Sequence, residues 1–225
     1  MHEELLLLVL NDTKGTVLGK AGMTYPYALG GALLAELLLA GRLKLEVVKK
    51  KTFAAIADSR PVGEPVLDDC LLAVRDAKRR GTLQKWVERF AHIRRLRRRI
   101  ALGLCDRGVL REREDTILLF FTRRRYPEQD HRYEQRLVDR LRAAVLEDGE
   151  VAARTAIAVA LAEAARLLPI LFERKTLKAR KARVRQIAEG QVIGRSAQAA
   201  VRAAHQAAMA ASAAAAAVIV AASSG

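Results

Sequence analysis

Cysteine is scarce, with only Cys70 and Cys105 in 225 residues. Both fall inside apolar helical patterns, without CxxC or Cys/His spacing. This excludes a disulfide framework and indicates no metal site, so both read as small buried hydrophobes. A secretory leader is not expected either: the apolar run 5–10 is short, and Glu3 and Glu4 precede it where basic residues would be needed. It reads as a core helix of a cytoplasmic protein. The alanine-rich stretch 203–222 is long enough to cross a bilayer, but His205, Gln206 and Ser212 interrupt it. Alanine gains little on transfer into lipid and favours helix anywhere, so a closely packed core helix is expected.

Catalytic signatures are lacking too. His2, His92, His131 and His205 show no HExxH spacing, and no GxSxG surrounds a serine. The segment Gly15-Thr16-Val17-Leu18-Gly19-Lys20-Ala21 approaches a P-loop, yet it is one residue short and places alanine where a hydroxyl would hold magnesium. It reads as a hairpin loop. Asp68 and Asp69 suit the first turn of a helix opened by Pro65; as neighbours about 100° apart they converge poorly on one metal or reacting atom. The expectation is a protein that is not an enzyme and takes no cofactor or metal.

What is present is positive charge. Forty Lys+Arg against 25 Asp+Glu leave a formal charge of +15, which attracts nucleic acid, anionic membrane or acidic protein. Half the chain is apolar (51%), enough for a substantial core. Helical spacing covers residues 27–40, Gly41 stands where a left-handed cap would end it, and 42–48 alternates like a strand. The order recurs as a helix over 86–104, then Gly108, then a β-rich run over 116–121. A loop over 58–64 precedes Pro65. Beyond residue 128 the pattern is helical over 128–146, 151–172, 174–188 and 196–222, punctuated by Asp148-Gly149, Pro169 and residues 190–194. The expected fold is mainly α: one helix-rich domain over residues 3–222, with β-hairpins near 42–56 and 116–126 and a disordered tail at 223–225.

Arg94, Arg95, Arg97, Arg98 and Arg99 crowd one short stretch. On a continuous helix Phe90, Ile93, Ile100 and Leu104 form the core stripe. Arg97 falls within about 40° of its centre, and Arg95 and Arg99 point into solvent. Arg94 and Arg97, at i and i+3, can approach the same anion; a solvated basic face with one internal salt bridge accounts for them equally. Arg123, Arg124 and Arg125 follow the apolar run 117–121. Together with Arg98 and Phe121 they suit a loop that dips into a lipid interface, or a buried strand ending in an exposed turn. Lys178, Lys181 and Arg185 share a helical face that would dock a partner or meet water.

These residues resemble the Golgi phosphoprotein 3 family. The landmarks are Glu3-Glu4-Leu5-Leu6-Leu7-Leu8, Leu34-Ala35-Glu36-Leu37 and Gly41-Arg42-Leu43-Lys44-Leu45-Glu46. Pro61-Val62-Gly63-Glu64-Pro65-Val66-Leu67-Asp68-Asp69 follows, then Thr82 with Trp86, Arg107-Gly108-Val109-Leu110 and Leu118-Leu119-Phe120, in order up to about residue 172. The resemblance implies a single helical domain that is peripheral on the cytosolic membrane face, at the Golgi in eukaryotic members. It further implies binding of phosphatidylinositol 4-phosphate and retention of glycosyltransferases through their cytosolic tails. The family's headgroup pocket uses a tryptophan and three arginines. Two of these fall on Arg94 and Arg97; counting back from Gly41, the tryptophan position falls on Ala21 and the third arginine on Gly30. The implied ligand therefore widens to an anionic phospholipid, phosphatidylinositol 4-phosphate or a related acidic lipid, and the Arg- and Ala-heavy composition points to a bacterial relative. The rival reading is nucleic-acid binding, because helix, turn and hairpin over 86–126 outline a winged-helix unit. Few Asn or Gln accompany the arginines to read bases. The long C-terminal helices would pack within one molecule or between copies.

Overall fold

A computed structural model describes residues 1–117 and 121–223, leaving out the side chains of residues 20, 116–117, 121–122, 195–197 and 214–223. The chain is mainly α, with eleven helices and two antiparallel hairpins among the described residues.

Helix α1 (His2–Val9) buries Leu5 to Val9 without a polar face, and the loop after it closes where Leu10 bridges Val17. Helix α2 (Tyr25–Leu39) is apolar almost all round, which only a helix enclosed by others tolerates. Pro26 sits in its first turn. At its end Gly41 takes φ +66°, Arg42 N–H donates to Leu37 O and Gly41 N–H to Leu38 O. The two-strand ribbon β1 (Leu43–Val48) and β2 (Lys51–Ile56) follows, with Val48 paired to Lys51. Helix α3 (Pro65–Arg75) is capped by Glu64, which accepts from Leu67 N–H at 2.7 Å. Asp68 closes the preceding loop by accepting from Val62 and Gly63 N–H, and Asp69 pairs with Arg99.

The continuous helix expected over 86–104 is instead two. α4 (Leu83–Ala91) and α5 (Leu96–Asp106) are separated by a turn in which Arg95 is left-handed at φ +58°. Ile93 N–H bonds Phe90 O, and Leu96 N–H bonds Ile93 O. A straight helix would carry Arg97 toward the core. The break lets α4 bury Trp86, Val87 and Phe90 while α5 buries Leu96, Ile100 and Leu104, and all five arginines keep some exposure. It also divides the helix on which the winged-helix outline depended.

The β-rich run is likewise two strands, β3 (Arg113–Ile117) and β4 (Phe121–Arg125), paired from Arg113↔Arg125 to Ile117↔Phe121. Then come α6 (Arg132–Leu146), α7 (Ala153–Ala164), α8 (Leu168–Leu171), α9 (Arg174–Ala179), α10 (Lys181–Ala188) and α11 (Arg195–Ser223). The expected helix over 151–172 breaks at Arg166, another left-handed residue, and the one over 174–188 breaks at Arg180. α11 packs on α2, α4 and α7, burying Val201, Ala204, Ala208 and Ala211 at helical spacing. Among the described residues no helix is long and apolar enough to cross a membrane.

Candidate functional site

The α4–α5 break faces the N-terminal end of α2. Tyr27 and His92 meet edge to face at 5.8 Å, so the two helix ends lie side by side and α2 and α4 run antiparallel. Between them opens a cleft of about 310 Å³. Tyr25, Pro26, Leu29, Ala91, Ile93 and Leu96 give it an apolar lining, and Arg95, Arg97 and Arg98 give it charge.

The five arginines divide by partner. Arg98 Nε donates to Glu112 at 3.3 Å and Arg99 Nη2 to Asp69 at 2.7 Å. Among the described residues Arg94, Arg95 and Arg97 have no carboxylate within 4.0 Å. No side chain caps α5, and the Arg97 and Arg98 amides have no acceptor among the described residues. The positive end of a helix dipole thus joins three uncompensated guanidiniums, an arrangement that attracts an anion.

Two expectations change here. Arg94 is exposed in the break and Arg97 is half-buried in the first turn of α5, so they are not one turn apart on a single helix. Arg95 lines the cleft instead of facing away, and Arg99 is held by Asp69. Ala21 and Gly30 stand where the resemblance implied a tryptophan and an arginine. Ala21 is buried in a short 3₁₀ turn (Gly19–Ala21). At Gly30 the backbones of α2 and α4 touch: a Cβ there would overlap the Val87 carbonyl oxygen and lie 2.9 Å from Ala91 N.

On the second hairpin Arg124 pairs with Glu114 at 2.6 Å and Arg125 with Asp115, so most of that cluster is neutralised across its own strands. Arg123 is exposed. The Phe121 side chain and residues 118–120 lie outside the described residues. Tyr126 is buried; burial and Glu112, which accepts its hydroxyl at 3.0 Å, push its phenol up to about 12. Arg185 pairs with Glu189, while Lys178 and Lys181 face water.

Each histidine has a partner that positions it: Glu36 for His2, the Glu88 carbonyl for His92, Glu128 for His131 and Glu163 for His205. One grouping escaped the sequence reading. Asp12, Glu128 and His131 bring ligand atoms within 4.8 Å of one another, and Glu134 stands beside them. The Glu134 carboxyl is pushed up to about 8 by burial, then by the charges of Asp12 and Glu128. Backbone bonds from Glu128 N–H to Asp12 O and from Tyr126 N–H to Gly15 O assemble the group, so no local spacing could announce it.

The sequence profile of the family described as Golgi phosphoprotein 3 (GPP34) matches residues 1–208. Two proteins named vacuolar protein sorting-associated protein 74, from Schizosaccharomyces pombe and Eremothecium gossypii, are each 29% identical over 138 residues, 53% of this chain. The match covers 40% and 41% of those relatives, so this chain spans less than half of their length. With the profile running from α1 into α11, across the cleft and both hairpins, the chain belongs to the Golgi phosphoprotein 3 family.

Proposed function

We propose that this chain is a non-enzymatic peripheral membrane protein that binds an anionic phospholipid headgroup, phosphatidylinositol 4-phosphate or a related acidic lipid, at the α4–α5 break. The observation that carries the reading is the set of three guanidiniums without carboxylate partners, Arg94, Arg95 and Arg97, beside an uncapped helix N-terminus and a cleft of about 310 Å³. That size suits one headgroup. Planar guanidinium forks clamp phosphate oxygens, and Arg95, in the turn before α5, supplies the third arginine that Gly30 cannot carry. The names of the fungal relatives associate them with protein sorting. We extend this to an adaptor role for the chain, on the cytosolic membrane face, toward the tails of membrane proteins.

The test is co-sedimentation with phosphatidylcholine vesicles, alone or carrying phosphatidylinositol 4-phosphate or phosphatidylglycerol, at two salt concentrations. Wild type is expected to bind both acidic vesicles, more weakly in high salt, and to ignore neutral ones. Arg94→Ala with Arg97→Ala should weaken binding about tenfold or more, at about 1 kcal/mol per cation near the surface. Lys175→Ala with Lys178→Ala removes equal charge from exposed sites and should lose far less. Equal losses with unchanged thermal melts would mean diffuse attraction and no site.

A further inference from the structure

The tip of the β1–β2 ribbon is built against the preference of its own backbone. Lys49 and Lys50 form the whole turn, and both have positive φ, 46° and 64°. Such a turn favours Asn-Gly, and a lysine enters it only against steric resistance. Beside it Val47 is 73% exposed and Val48 42%, although alternation along a strand should turn one of two neighbours inward. Lys49, Lys50 and Lys51 are exposed and have no carboxylate within 4.0 Å among the described residues. The loop before α4 adds exposed Lys78 and Arg79, and its Arg80 is tied to Glu46 of β1 at 3.2 Å.

We infer that residues 47–51 form a second lipid-contact element: Val47 and Val48 enter the interface of an anionic bilayer while Lys49, Lys50 and Lys51 meet its phosphates. The inference rests on the membrane reading above. An acidic protein segment would answer the lysines and leave the valines in water, whereas a bilayer interface takes up both. The placement also orients the molecule. The cleft lies where α2 begins and α4 ends, and the ribbon lies at the other end of the pair, where Phe53 of β2 bridges Thr82. A 15-residue helix spans about 22 Å, so contact at both ends lays the α2–α4 pair along the membrane plane.

The decisive variant is Lys49→Asn with Lys50→Gly, which suits the turn and removes two charges. Its thermal melt should stay level or rise. Its binding to vesicles of equimolar phosphatidylcholine and phosphatidylserine should fall about tenfold or more, while Lys175→Asn with Lys178→Gln changes binding little. In a Val47→Trp variant, brominated lipid should quench the new fluorescence over the background of buried Trp86. Undiminished binding of the turn variant overturns the inference, as does an unquenched Val47→Trp protein that still sediments. Binding of poly-glutamate that depends on the tip, with vesicle binding unaltered, overturns it in favour of an acidic protein partner. Wild-type protein that ignores the vesicles would bring down the membrane reading itself, a result distinct from these.

Discussion

Arg183 is buried with no carboxylate partner among the described residues, yet its charge is satisfied: Nε donates to Ala144 O and Nη2 to Gly149 O, at and just beyond the C-terminal end of α6. A cation at that pole meets carbonyls that the helix leaves unpaired and the negative end of its dipole. Glu134 is the opposite case, a carboxyl crowded by Asp12 and Glu128 with His131 alongside. Burial and those two charges raise it from an ordinary 4.5 to about 8. Between these values the folded chain holds a proton that the unfolded chain has released. The stability from this group is therefore complete below about 4.5 and is lost as pH rises through about 8. Glu134→Gln should raise the melting temperature at about pH 8.5 and change it little near pH 5. An equal shift at both would show that Glu134 is ionised throughout.

The elements that the sequence announced are those with local punctuation. Gly41 marked the end of α2 and Pro65 the start of α3, and the structure agrees within a residue or two. The breaks at Arg95 and Arg180 left no such mark, because arginine is a good helix former and nothing local foretells the left-handed Arg95, while Pro169 stood near the break at Arg166. The break between α4 and α5 arises from packing, since two short helices bury their apolar faces separately. Arg95→Gly should remove the steric cost of φ +58°, raising stability by about 1 kcal/mol. For a chain of this size that is a melt about 2–4 °C higher. Lipid binding should fall in the same variant, because the cleft loses a guanidinium. A lower melt would mean that the Arg95 side chain braces the break.

Across the whole molecule, the candidate site was legible only as a stretch crowded with arginine. Arg94 and Arg97 were nominated by the resemblance, and the residues alone drew attention only to the crowding of five arginines, which a solvated face explains equally. Arg95 was missed because a helical wheel presumes an unbroken helix, and the Asp12, Glu128 and Glu134 group because only tertiary contacts assemble it. Gly30 extends this dependence on neighbours to the substitutions that the chain can accept. With no side chain at that position, α2 and α4 have closed until their backbones touch, and Val87 and Ala91 occupy the space that an arginine stem would need. Gly30→Arg should therefore lower the melt sharply and add no affinity for acidic vesicles; a well-folded variant that bound more tightly would refute this. The packing behaves as a ratchet: a chain with glycine here cannot acquire an arginine in one step without passing through a form that folds badly. Any gain in affinity for an anion must then come from cations recruited elsewhere around the cleft.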